Sequence, residues 1–474
     1  MHYDRPPPHP IDILKLKHVQ TKNRNLTGGK MKLRYASVSM AISLLAIFSG
    51  MRMKPDDQKK IEIPKESQKC IECHSANNIA DGAIRDWKLS KHAENGIACA
   101  DCHIPTTGVS KEIVDEPTKC DDKSVRRKVS AKQCAVCHDK QYEQFAQSKH
   151  ALAWVAMNAM PTTAIQPHAI IEGEKGCGGC HRVGRDDGRC DVCHTRHLFS
   201  AAEARHPEAC QTCHMGFDHP QWEMYSTSKH GTIYEIEGKN WNFNQTLSEM
   251  YRKTTQASDT TARAPVCQTC HMPNGDHGVK TAWGFLAVRL PESDKEWLGY
   301  RMTILKGLGV LDENGKPTER LKVVEAGQVA RLNEKEWNDR REAMVQVCEK
   351  CHSESFARQN LAQADSVIKA SDKLVAEAVQ VVDSLYQEGI LKKPKDQPFS
   401  VDMLRFYESP SPIEQKLYTM FLEHRMRAFQ GAFHMNPDYM HWYGWAELKR
   451  DLVEIKAEAA QLRRERNPEV KKKG

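Results

Sequence analysis

CGGCHRVGRDDGRCDVCHTRHLFSAAEARHPEACQTCH (Cys177–His214) holds three Cys-x-x-Cys-His motifs in 38 residues: Cys177/Cys180/His181, Cys190/Cys193/His194 and Cys210/Cys213/His214. In this pattern two thiols add across the vinyl groups of a haem, and the adjacent histidine becomes the proximal iron ligand. Outward from this stretch the motif recurs at Cys70/Cys73/His74, Cys99/Cys102/His103, Cys134/Cys137/His138, Cys267/Cys270/His271 and Cys348/Cys351/His352. Eight motifs consume sixteen of the seventeen cysteines. One such pentapeptide could belong to a zinc site. Eight, each ending in histidine, predict eight covalently attached haem c groups.

Composition agrees. Only 39% of the 474 residues are hydrophobic, and the Leu/Ile/Val pattern is weak between residues 70 and 355. Porphyrins would supply the missing apolar bulk. Glycine and proline punctuation without alternating strand runs predicts helices and long loops. The expected fold class is mainly α: a multihaem cytochrome c domain with little regular β structure over 65–355, then a long-helix bundle over 356–474. The formal charge of +7 is mostly local, because residues 1–51 carry eight Lys/Arg against two Asp/Glu. Two propionates per haem would make the loaded protein acidic. No dense basic patch with interleaved aromatics stands out, which excludes a nucleic-acid partner.

Residues 1–51 read as a presequence. Met31-Lys32-Leu33-Arg34 opens a basic segment, and Tyr35 to Ser49 is a short apolar run, as in a secretory signal with Met31 the true start. About 15 apolar residues fall short of the roughly 20 that span a bilayer. The expected location is the periplasm, with membrane association left open, and c-type haem attachment outside the bacterial cytoplasm fits that.

The histidines can be counted against the haems. Of 22, eight lie in motifs and His2, His9 and His18 in the presequence. A repeat, Ser90-Lys91-His92, Ser148-Lys149-His150 and Ser228-Lys229-His230, supplies three histidines outside the motifs. These are the leading candidates for distal iron ligands, which make a haem six-coordinate and suited to carrying electrons. His197, His206 and His434 follow. Cys120 is unpaired and reads as a buried structural thiol.

Beyond His352 the pattern becomes amphipathic. Residues 357–391 place Ala364, Val367, Ile368, Leu374, Val375, Ala378, Val382 and Leu385 at helical spacing. A second helix is expected over 412–434 through Leu417, Met420, Phe421 and Ala428. Asn436-Pro437-Asp438 reads as a helix start. The seam Trp445, Leu448, Leu452, Ile455, Ala459, Leu462 suits packing within one subunit and contact between subunits equally.

Chemistry needs an open haem and groups that move protons. Asp276 and His277, in His271-Met272-Pro273-Asn274-Gly275-Asp276-His277-Gly278, could pass protons to or from a substrate nitrogen. Equally, His277 could be another distal ligand with Asp276 orienting it. The eight regular motifs, the Asp276-His277 pair after the seventh and a tyrosine-bearing C-terminal helix together resemble the octahaem hydroxylamine oxidoreductase family, over about residues 65–465.

The resemblance implies an active, modified haem at the fourth motif, on His181, with Asp276 and His277 in its distal pocket. It also implies a tyrosine from a neighbouring subunit joined to that haem in oxidising members. Tyr439 and Tyr443 are the candidates, with Tyr439 ranked first because it lies in the first helical turn. A homotrimer, hydroxylamine as substrate, nitric oxide or nitrite as product, and a small cytochrome c or quinol-linked membrane cytochrome as electron acceptor complete the expectation. The rivals are the scaffold run in reverse to ammonia, hydrazine oxidation, and a pure electron-transfer cytochrome. Direction, product, redox partner and the full distal-histidine assignment are not legible at this level.

Overall fold

The computed structural model describes residues 61–106, 125–158, 160–216, 219–251, 262–279, 290–321, 334–393 and 400–466. Cys120 and the presequence, with its apolar run, lie outside the described residues. Among the described residues there is no strand beyond one isolated bridge, Leu311 to Pro317. No described helix is long and apolar enough to cross a membrane.

From residue 61 to 279 the chain forms short helices joined by turns. Several are the motifs themselves, such as Cys99–His103, Gly178–His181 and Cys267–His271. Aliphatic packing here is sparse. One small cluster gathers Trp87, Ala93 and Ala98, and another Tyr225, Tyr234, Trp241, Phe243, Leu247 and Met250. Most of the remaining interior is a continuous cavity of about 3350 Å³ lined by cysteines from every motif and by the motif histidines up to His271. A single ligand pocket is about 300–1,000 Å³, so this space is built for several large apolar groups.

The Ser-Lys-His repeat is a helix-start device. The hydroxyls of Ser90, Ser148 and Ser228 accept the backbone N–H of Ala93, Ala151 and Gly231 at 3.1, 3.4 and 3.2 Å. Each cap satisfies an otherwise unpaired helix-start donor. It fixes the following histidine in the first turn of Lys91–Glu94, His150–Leu152 or Lys229–Glu237.

The remaining helices are long. We label them α1 (Lys295–Gly307), α2 (Glu334–Cys348) and α3 (Glu354–Gln387). Pro412–Thr419, a π turn at Met420–His424 and Arg425–Phe433 run on as α4. Pro437–Tyr439, a π turn at Met440–Trp445 and Ala446–Arg466 form α5. Their common core joins Val375, Ala378, Val382 and Leu385 of α3 to Leu417 and Phe421 of α4 and to Leu448, Leu452, Ile455 and Ala459 of α5. Trp445 and Leu462 pack against the same core. The α5 seam therefore packs within one subunit, with Trp445 and Leu462 only partly buried.

A buried ionic knot ties α1, α3 and α4. Asp372 accepts Trp297 Nε1 at 2.6 Å and Arg425 Nε at 2.8 Å, and also pairs with Arg301. Burial pushes its carboxyl up, but the two guanidiniums outweigh that and hold it below the usual range. α1 thus belongs to the same bundle as the helices beyond residue 354. Asn436 caps α5 by accepting Tyr439 N–H at 3.0 Å, as its sequence context predicts. Its amide also donates to Met224 O at 2.9 Å and Thr227 Oγ1 at 2.7 Å, which docks the bundle against the haem region.

Candidate haem centres

Six motif histidines are each faced by a second imidazole: His103 by His197 and His138 by His92, both at 6.1 Å, and His194 by His277 at 6.3 Å. His214 is faced by His150 at 6.0 Å, His271 by His434 at 6.4 Å and His352 by His230 at 6.1 Å. A metal–imidazole bond of about 2.0 Å plus about 1.1 Å from nitrogen to ring centre gives roughly 6.2 Å across one shared metal. The observed spacings fit two axial imidazoles with an iron between them. His219 also lies 6.2 Å from His214, edge-on at 74°.

The hydrogen bonds agree. Nδ1–H donates to a carbonyl in His103 (Arg126 O, 2.6 Å), His181 (Ala153 O, 2.8 Å), His277 (Gly275 O, 2.9 Å) and His434 (Gln430 O, 2.7 Å). This fixes the tautomer and leaves Nε2 as the metal donor. Burial, with His150 and His219 alongside, pushes His214 down to about 3; burial pushes His434 down to about 4. Burial also lowers His92, His150, His194, His197, His230 and His277. A neutral imidazole is the form a metal requires.

The other expected residues fall as follows. His206 is placed differently from the six paired histidines: among the described residues its ring stacks on Phe243 at 3.6 Å. Its Nδ1 lies 3.3 Å from the Tyr234 hydroxyl. Cys73 stands apart from its motif partners. Cys70 and His74 of the first motif line the haem cavity, but Cys73 between them does not. All three lie in one continuous helix, Lys65–Ala76, where a step of one residue turns a side chain about 100° around the axis. Asn77, just past that helix, donates its amide to Cys73 O at 2.8 Å and lies 3.8 Å from Cys73 Sγ. A thioether at this position requires Cys73 Sγ to turn from Asn77. Cys351 likewise stays off the cavity wall, where Cys348 alone represents its motif.

His277 lies against His194 of the fifth motif, which is the position of a second axial ligand and not that of a free proton carrier. Asp276 accepts the Gly278 N–H at 2.8 Å, and Gln144 accepts the His277 N–H at 3.1 Å. Tyr439 and Tyr443 stack on one another at 5.0 Å. Their expected order reverses. Tyr443 is 48% exposed, whereas burial pushes the more covered Tyr439 up to about 12. The π turn at Met440–Trp445 explains this, because its extra residue rotates the following side chains around the rod.

The motif sulfurs show how the centres follow one another. Beyond burial, the larger effect in each case, neighbouring thiols raise Cys99 (Cys70), Cys102 to about 11 (Cys134, Cys137), Cys193 to about 12 (Cys210, Cys213) and Cys270 to about 12 (Cys348, Cys351). Cys134 hydrogen-bonds Cys190, and Cys210 hydrogen-bonds Cys267. These thiols stand in for the thioethers of the loaded protein. The line runs first, second, third, fifth, sixth, seventh, eighth.

The fourth motif is built differently. A Cβ on Gly178 would meet Glu172 O at 2.3 Å, and one on Gly179 would meet Glu174 O at 2.6 Å, so both positions need glycine because the 172–174 turn packs on them. Two residues separate His150, at the sixth centre, from Ala153, whose carbonyl orients His181. Arg185 lies over the Trp154 ring at 4.7 Å, and Arg182 Nε is buried without a hydrogen-bond partner, which suits a haem propionate. Cys177 also adjoins Tyr407, a neighbour that no motif announced. Glu408, beside it, holds Gln166.

Lined cavity, paired imidazoles and attachment cysteines define a multihaem c-type cytochrome. The family model described as "seven times multi-haem cytochrome CxxCH" matches residues 70–303 and 320–397, and the chain belongs to that family, whose haems are covalently bound. A "probable nitrite reductase-hydroxylamine oxidoreductase fusion protein" of Kuenenia stuttgartiensis is 28% identical over 477 residues, covering 83% of this chain and 51% of that protein. The chain thus spans about half the length of that relative. The Kuenenia stuttgartiensis "reducing HAO-like protein complex" has a similar fold: TM-score 0.67, 24% identity, 86% of this chain and 87% of that one. A "hypothetical multiheme protein" gives 0.66, 20%, 86% and 98%.

Proposed function

We propose that this chain is an exported eight-haem oxidoreductase of small inorganic nitrogen compounds, oxidising hydroxylamine at the haem borne by Cys177, Cys180 and His181. The observation that carries the reading is the line of six facing imidazole pairs running beside a fourth motif of different construction. Paired imidazoles make centres that move electrons without binding substrate. The substrate class rests on similarity to the relative whose name joins both activities. A haem iron there supplies redox chemistry and a coordination position for nitrogen.

The protein's own groups do the rest. Ala153 O keeps the His181 proton on Nδ1, so the ring donates through Nε2. Arg182 neutralises a propionate. Asp276 would accept a proton from the substrate, while His277 and His194 would together hold the haem of the fifth motif. Tyr443, exposed and steadied by Tyr439, reaches the fourth centre of a neighbouring copy in a trimer. A small cytochrome c or quinol-linked membrane cytochrome outside the cytoplasm takes the electrons.

Purified holoprotein given hydroxylamine should reduce an oxidised small cytochrome c. Asp276→Asn should slow this about 10²–10⁴-fold, the usual worth of a positioned acid or base, without loss of haem. Reduction of nitrite or hydroxylamine by a low-potential dye, with no forward reaction, would reverse the assigned direction.

A further inference from the structure

Between the sixth and seventh motifs stands a run of oxidisable side chains that iron ligation does not use. Trp222 and Tyr225 line the haem cavity. The Tyr225 ring lies 6.2 Å from Trp222 and 6.3 Å from Tyr234, and Tyr234 lies 5.7 Å from Trp241. Tyr225 donates to Pro265 O at 3.1 Å, two residues before Cys267, and Cys267 packs on the same cluster. At the outer end Tyr234 Oη lies 2.8 and 2.7 Å from the two Glu208 oxygens, two residues before Cys210. The Glu208 side chain is 51% exposed while Tyr234 is 8% exposed. The chain of rings therefore starts on the haem side and ends at a carboxylate in water.

A buried phenol gives up an electron readily only if its proton leaves in the same step. Burial, then Glu208, push the Tyr234 phenol far above its ordinary range, so at rest it keeps its proton. Glu208 is placed to receive that proton on oxidation.

We propose that Tyr234 is a redox-active tyrosine that discharges strongly oxidising equivalents from the haem array to the surface. Hydrogen peroxide, the oxidant, needs two electrons and two protons to become two waters. One electron comes from a haem of the array, which is refilled afterwards by electrons from the substrate, and one from Tyr234 by way of Tyr225, while both protons are drawn from solvent. The Tyr234 O–H bond breaks, its proton moves to a Glu208 oxygen and on to solvent, and a neutral phenoxyl radical remains. A soluble thiol or ascorbate-type reductant restores the phenol by returning one electron and one proton.

Peroxide-treated, freeze-quenched holoprotein should give a tyrosyl radical by electron paramagnetic resonance, and peptide mapping should place oxidation at Tyr234. Tyr234→Phe should abolish that signal and bleach the haems at least threefold faster, with hydroxylamine turnover unchanged. Glu208→Gln, which keeps an acceptor but not a base, should cut radical yield severalfold. Peroxide action rests on the open haem proposed above. If peroxide leaves the wild type untouched, that reading fails, and a photogenerated ruthenium oxidant, which needs no open site, makes the same comparison. An undiminished radical and unchanged bleaching in Tyr234→Phe, with either oxidant, would overturn the proposal.

Discussion

Where the Nδ1 proton goes decides what a histidine can do in this protein. His277 gives it to Gly275 O, as His103, His181 and His434 give theirs to other carbonyls. His277→Ala should therefore turn one low-spin haem high-spin in the ferric spectrum without lowering haem content. An unchanged spectrum would return His277 to the proton-carrier role. The Ser-Lys-His repeat was legible because a cap followed by a ligand is a local pattern. Ser228→Ala should cost about 1 kcal/mol of stability, the usual worth of such a cap, in thermal melts. The surroundings of His206 were not legible, because only the fold brings Phe243 and Tyr234 to its ring. Asp383 gives a pH test: burial pushes its carboxyl up to about 6 although Ser400 and Val401 donate to it. The folded pKa is raised, so its stabilising contribution is full below about pH 4 and is lost as pH rises through 6. The change is on the order of 3 kcal/mol, and Asp383→Asn should flatten it in melts followed across that window.

At the level of elements, the long helices were readable because their apolar spacing was regular. Their π turns were not, since one extra residue leaves no periodic trace. That is why the order of Tyr439 and Tyr443 came out reversed. The α5 seam could be read as a stripe but not assigned a partner, since α3 and a second subunit would ask for the same residues. Gly444 shows what the choice of α4 as neighbour demands: a Cβ there would meet the Ala428 backbone at 2.4 Å. Leu448→Ala, in this core, should cost about 2–5 kcal/mol, and Asp372→Ala, stranding two buried guanidiniums, about 3–5 kcal/mol. Denaturation of the purified holoprotein checks both. If Leu448→Ala instead dissociated an oligomer without lowering the melting point, the seam would lie between subunits after all.

For the whole molecule, eight attachment motifs and a thin aliphatic pattern between residues 70 and 355 announced that cofactors fill the interior, and the cavity has room for several. Leu290 and Leu321, inside that range, nevertheless belong to the aliphatic bundle core. The order of the centres in space was not legible. It depends on loops that bring Cys134 to Cys190 and Cys210 to Cys267 across long stretches of chain. If the line of paired imidazoles carries electrons and the fourth centre does chemistry, ligand binding must distinguish them. The direct measurement is titration of the dithionite-reduced holoprotein with carbon monoxide, alongside haem quantified per chain. The account predicts eight haems and one bound carbon monoxide per chain. Eight haems with none bound would mean that every centre is closed, leaving an electron carrier in place of an enzyme.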